Sequence, residues 1–142
     1  MPIQLLELCA GSSFTIYALE IDGACTMQQF LEQAERLNED EADSMLALLD
    51  WTAKSGPPRN KEKCREVGDG IYEFKAKSLR VCWFYEPGRI IICSHGFYKP
   101  TKKVQNREIK QAVTLRAKYL AAKQAGPIPR KQTSHQTTPQ TK

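Results

Sequence analysis

Among its first 50 residues this 142-residue chain has a single basic side chain, Arg36, against ten acids. The shortage is local. Residues 51–142 hold twenty bases against six acids, so the two parts carry −9 and +14. In a chain of ordinary composition, 41% hydrophobic and 26% charged, such a split predicts a basic half that gathers polyanions such as RNA. A merely solvated charged surface is the plain alternative.

Other absences exclude whole classes. No apolar run approaches the roughly 20 residues of a membrane span. The opening MPIQLLELC has no basic n-region and no small-residue cleavage site, so a cytoplasmic protein with no membrane partner is expected. Five cysteines (Cys9, Cys25, Cys64, Cys82, Cys93) are odd in number and form no C-x-x-C pair, which argues against a disulfide framework and a zinc site. Cys93 and His95 stand two apart with Cys64 as a conceivable third ligand, but reduced core thiols explain them more simply. No metal and no cofactor are expected. The length suits one domain.

Residues 14–21, FTIYALEI, running to the turn at Asp22-Gly23, predict a strand. Thr26 is placed to cap a helix from Met27, whose apolar face is Met27, Phe30, Leu31, Ala34 and Leu37. A second helix is expected from Glu39 to Lys54, stopped by Gly56-Pro57-Pro58. Because both are acidic, they read as a hairpin covering a sheet and not as a DNA-reading helix–turn–helix. From Cys64 the period becomes strand-like: CREV, IYEFKA, SLRVCWFYE and RIIICSH, separated by turn residues, predict an antiparallel meander. The register of IYEFKA is left open between burying Tyr72 and Phe74 or Glu73 and Lys75. A third helix is expected from Asn106 to Lys123, with Ile109, Ala112, Val113, Ala117 and Leu120 inward. Residues 1–13 read as an N-terminal extension, 14–123 as the domain, and 124–142 as a disordered basic tail.

Two strings, DGACTMQQFLEQ and GIYEFKAKSLRVCWFYEPGRIIICSHGFYKPTKKVQNREIKQA, resemble the phage-derived branch of the RelE/HigB-type toxin superfamily over residues 14–121. That family shows a G-x-(Y/W)-E-L-R strand, an arginine-led apolar strand and an H-G-F, basic-loop, E-I ending. The resemblance implies an α+β fold, RelE-like, with a helical hairpin packed on a small antiparallel sheet and a C-terminal helix. It implies the toxin of a type II toxin–antitoxin system that cleaves mRNA on the ribosome without a metal. Its partners would be that mRNA and a cognate antitoxin of helix–turn–helix type. By position, Arg80 matches the strand-opening arginine, Lys75 the arginine of E-L-R, His95 the histidine of H-G-F, and Lys99 and Lys103 two loop lysines. Pro100, Lys102 and Gln105 depart from the pattern.

Metal-free RNA cleavage needs a base for the 2′-hydroxyl, positive charge for the phosphoryl oxygens and an acid for the 5′-oxygen. Arg80, with its permanent planar charge, suits the phosphate. Lys75, His95 and Lys103 complete the expected catalytic set, crowding of lysines being one way to lower an amine's pKa. Lys99, Lys102, Arg107 and Tyr98 are the expected RNA or ribosome contacts, with Tyr85 a further candidate for stacking. Each has a structural alternative: Arg80 paired with Glu73, His95 fixing a turn, lysines that only steer, Tyr85 in the core. Two other functions stay open. One is a non-catalytic module on this fold, a phage protein inhibiting a host partner or a ParE-like gyrase poison. The other is an RNA binder that does not cut.

Overall fold

The alternation in IYEFKA and SLRVCWFYE settles into one register. Tyr72 and Phe74 face one side of a sheet and Glu73 and Lys75 the other. The computed structural model of the chain describes residues 2–132. In chain order the elements are β1 (Ile3–Ala10), β2 (Thr15–Ile21), α1 (Thr26–Leu37), α2 (Glu39–Ser55), β3 (Cys64–Gly68) and β4 (Ile71–Ala76), followed by β5 (Leu79–Glu86), β6 (Ile90–Tyr98), α3 (Lys102–Ala125) and β7 (Arg130–Gln132). All the strands join one sheet in the order β3-β4-β5-β6-β2-β1-β7. The meander β3 to β6 is antiparallel, as its turn residues predict. At Asp69-Gly70 both turn residues adopt positive φ, 56° and 75°, the backbone demanded by a tight hairpin whose twist matches its strands.

The helices pack on both faces of the sheet. α1 and α2 cover a core built on Ile16, Phe74, Val81, Trp83 and Ile91. α3 lies across the opposite face, over Tyr17, Ile71, Phe84, Ile92 and Phe97. Trp83 stacks on Phe74 at 4.9 Å and on the half-buried Tyr72 at 4.7 Å, and fully buried Trp83 and Phe74 each contribute about 1.5–3 kcal/mol by area. Asn38 joins the hairpin: it ends α1 and caps α2, its side chain accepting from the Glu41 amide at 3.2 Å. Cys25, not Thr26, holds the N-cap position of α1. Thr26 instead donates its hydroxyl to the Ser94 carbonyl at 3.2 Å, tying α1 to β6.

Three expectations need correction. The fold is α+β, but its sheet is mixed and seven-stranded rather than small and antiparallel, since β2 runs parallel to β6 and β1 parallel to β7. Most of the supposed extension 1–13 is β1, which pairs along β2 from Ile3↔Ile21 to Ala10↔Thr15. In the supposed tail, residues 130–132 form β7; residues 133–142 lie outside the described residues. Here the Leu5 amide donates to the Pro129 carbonyl at 2.9 Å, Arg130 sits over the Tyr17 ring at 5.4 Å, and Lys131 pairs with Glu20 at 3.6 Å. A three-residue strand has too little apolar pattern to show in sequence, because neighbouring backbone and not its own side chains holds it.

α3 also differs. It begins at Lys102, where Thr101 accepts from the Val104 amide, four residues before the expected start. Its inward stripe runs through Gln105, Glu108, Ala112, Arg116 and Tyr119, while Leu120 is exposed. The polar residues of that stripe make an apolar count mislead.

Because residues 126–132 cover β1, truncation after Ala125 should lower the melting temperature by roughly 5 °C or more in differential scanning calorimetry, the shift expected for a loss of one to two kcal/mol in a domain of this size. An unchanged melting temperature would show that β7 adds no stability.

Candidate functional site

Two rows of side chains cross the sheet beneath the N-terminal half of α3. Cross-strand register places Arg65 beside Glu73, Glu73 beside Cys82, and Cys82 beside His95. The second row, two residues along each strand, is Lys75, Arg80 and Phe97. Neighbouring strands lie about 4.8 Å apart, so six ionisable side chains, Cys82 among them, share a small area of one face.

A β-bulge decides which residues of β6 join this face. Trp83 pairs with Cys93 but Cys82 with His95, which leaves Ser94 as an extra residue. His95 and Phe97 therefore point toward α3, and Gly96 toward α1. A Cβ on Gly96 would fall 2.6 Å from Phe30 Cε2, so the glycine of the His-Gly-Phe string is required by the approach of α1.

The first row is buried and polar. Glu73 is fully enclosed: Gln105 donates to its Oε2 at 3.3 Å, and Arg65 Nε lies 3.6 Å from its Oε1, which accepts no hydrogen bond among the described residues. A carboxylate so placed is costly unless paired, which binds Arg65 and α3 to β4. His95 is 4% exposed, with Nε2 3.0 Å from Glu108 Oε1 and Nδ1 3.1 Å from Ser94 Oγ. A neutral ring in the Nε2–H tautomer donates to Glu108, and its Nδ1 shares the one Ser94 hydroxyl proton with the Cys82 carbonyl, which lies 3.2 Å from Ser94 Oγ. Burial lowers the His95 pKa, against the opposing pull of Glu108.

The second row reaches solvent. Arg80 Nη1 donates to the Lys77 and Leu79 carbonyls at 2.7 and 2.9 Å, which holds the guanidinium at the turn between β4 and β5. Burial lowers its pKa, Glu73 opposes this and Arg65 adds to it; an arginine stays charged regardless. Arg65, not Arg80, is the ion-pair partner of Glu73. The Lys99 amide donates to the Ser78 carbonyl at 2.6 Å, so Lys77 and Lys99 gather at the same end of the sheet. Lys102 and Lys103 follow in the first turn of α3, which holds no acid. That turn presents the positive end of the helix dipole, so the lysines reinforce a field that attracts anions.

Of the expected site residues, Lys75, Arg80, Lys99 and Lys102 are thus brought to one end of the sheet. His95 shares their face but lies under α3. Lys103 and Arg107 are exposed on α3. Tyr98 turns to the other face, its ring edge-on to Phe30 at 5.3 Å. Tyr85 makes edge-to-face contacts with Tyr72 and Trp83 yet is 44% exposed. Sequence reasoning missed Arg65, Ser94, Gln105 and Glu108. Glu108 had a signal, as the only acid after Glu86 in a long basic stretch. Among the described residues no three His, Cys, Asp or Glu side chains form a set that could hold a metal ion, and no helix is long and apolar enough to cross a membrane.

The burial of His95 has a measurable sign. Its folded pKa lies below the ordinary 6.5, so the unfolded chain takes up the proton first as pH falls. This contribution is complete above about pH 6.5 and is lost as pH drops toward the folded value. Chemical denaturation should show stability declining from pH 7 downward, and His95→Gln, which keeps a donor toward Glu108, should flatten that part of the curve. An equal slope in both proteins would mean that His95 titrates freely.

Comparison with known families bears on both rows. Residues 32–117 match the family described as "Phage derived protein Gp49-like (DUF891)". A comparison with curated proteins found no match. The matched span runs from the middle of α1 into α3, holds every residue of the two rows and covers more than half of the chain: the chain belongs to the phage-derived Gp49-like family.

Proposed function

We propose that this protein is the toxin of a toxin–antitoxin pair, of RelE/HigB type, and that it cleaves mRNA on the ribosome without a metal. On this reading residues 14–123 are a RelE-like toxin domain whose sheet is widened by β1 and β7. The observation that carries the proposal is the cross-strand pair Lys75 and Arg80, at a sheet end ringed by Lys77, Lys99 and Lys102, in a chain of a phage-derived family.

The chemistry follows from the placement. Arg80, anchored by two carbonyls, presents its remaining donors to the phosphoryl oxygens as negative charge builds on them. Lys75 adds a second positive charge one strand away. Proton transfer falls to the lysines that solvent and substrate can reach, Lys75 from the sheet and Lys103 from the first turn of α3. His95, enclosed by Glu108 and Ser94, keeps α3 in place unless that helix shifts. The 2′-hydroxyl of the RNA attacks the adjacent phosphorus, leaving a 2′,3′-cyclic phosphate and a 5′-hydroxyl. Lys99, Lys102 and Arg107 supply the salt-sensitive attraction to RNA, and an antitoxin is the expected protein partner.

The enclosure of His95 favours a second reading, an RNA-binding protein of this fold that arrests translation without cutting. One experiment separates the two. Purified protein with programmed ribosomes should cut an unmodified message and leave intact one with a 2′-deoxy nucleotide 5′ of the scissile phosphate. Arg80→Ala should fold normally and lose roughly 10²–10³-fold in cleavage rate, the usual cost of one such electrostatic contact. Arrest with every message whole would favour the binder, and equal cutting of the deoxy message would reject attack by the 2′-oxygen.

A further inference from the structure

The acidic half of the chain has its own surface, remote from the two rows. α1 and α2 run antiparallel on the sheet face opposite α3, with residues 28–35 of one alongside residues 42–49 of the other. Between them and β1 lies an open groove of about 620 Å³, with Leu31, Leu46 and Leu49 on its walls and Glu32 and Glu35 on its rim. Leu46 is 47% exposed and Leu37, at the end of α1, 68% exposed. Glu39 and Asp43 extend the acidic rim along the stripe that holds Leu46. Among the described residues none of Glu32, Glu35, Glu39 and Asp43 makes an ion pair. The only base in the first 50 residues is Arg36.

We infer that this groove docks a helix of a protein partner that is apolar along one stripe and lysine- or arginine-rich beside it. Length, apolarity and charge each narrow the occupant. Eight residues of each wall helix span about 10 Å, two turns of a guest helix, which suits anchors at an i, i+4, i+7 spacing. The leucine walls ask for apolar anchors, and an unpaired acidic rim attracts and orients basic flanks while repelling acidic helices and nucleic acid. The rest of this chain fits worse. Residues 133–142, TSHQTTPQTK, hold no large apolar side chain. The outward stripe of α3 in a second copy, Lys103, Arg107 and Lys110, is basic but lacks apolar anchors. The inference stands apart from whether the protein cuts RNA, since it uses no residue of either row.

The test uses three labelled peptides of about 15 residues, long enough to form a helix when docked. One carries leucines at i, i+4, i+7 among lysines and alanines; in the second the leucines are serine; in the third the lysines are glutamate. Fluorescence anisotropy with the full-length protein should show the first binding about tenfold more tightly than either other. Leu46→Asp, at a half-exposed position, should weaken it by a similar factor, as should the surface double variant Glu32→Lys, Glu35→Lys, while Lys110→Glu on the far face should leave it unchanged. Circular dichroism checks that each variant is folded, and the double variant decides should Leu46→Asp unfold. Equal binding of the serine peptide would reduce the surface to bare charge and overturn the inference, as would no saturable binding at all. Light scattering that shows a dimer dissolved by either groove variant would overturn it too, making the groove a seam between copies.

Discussion

Four backbone pairings, Thr15↔Ile90 through Ala18↔Cys93, hold this molecule together. They join the meander β3 to β6 to the ladder of β1, β2 and β7, and without them there would be two separate sheets. Because the pairing is parallel, the chain cannot turn directly from β2 into β6. It must travel through α1, α2 and three strands before returning. Placing β2 and β6 at the centre also buries both faces of each, which accounts for the unbroken apolar character of Ile90, Ile91, Ile92 and Cys93. One helix layer must then cover each face. The acidic hairpin takes one and basic α3 the other, so the charge asymmetry of the sequence becomes an asymmetry between two sides of a sheet.

The layer beneath α3 is an expensive way to attach a helix. An apolar stripe would hold α3 at lower cost than a buried Glu73 with a half-exposed arginine and a glutamine as partners. What the polar layer supplies is position. Glu73 bonds to Gln105 and His95 to Glu108, one turn apart on α3, and a helix rotated or slid along the sheet would lose both. That fixes where the first turn of α3, with Lys102 and Lys103, stands relative to Arg80. Stability is exchanged for the placement of charge.

The meander was legible because β4 and β5 alternate and two of its three turns carry glycine, proline or aspartate; β3 to β6 and both hairpin helices lie close to where the sequence puts them. β1 was not, although IQLLELCA is apolar enough, because the resemblance began at residue 14 and drew the boundary with it. β7 had no signal, its three residues being polar and held by the backbone of β1. In the site, Lys75 and Arg80 were both legible as candidates, but their direct pairing is set by a register that the alternation alone leaves open. The enclosure of His95 was not legible, because it depends on Glu108 arriving from a helix whose inner stripe is itself polar. An apolar count applied to α3 selects Leu120, which is exposed, and passes over Gln105 and Glu108, which make the contacts.

The extra residue at Ser94 sets the phase of everything after it in β6. Side chains of a strand alternate strictly, so the same residues run without the bulge would carry the histidine toward α1 and the glycine toward α3 with every letter of the string unchanged. Two relatives could then match perfectly through His-Gly-Phe and yet present that string to opposite layers. In comparing members of this family, whether β6 bulges before the histidine carries more structural information than the identity of the histidine itself.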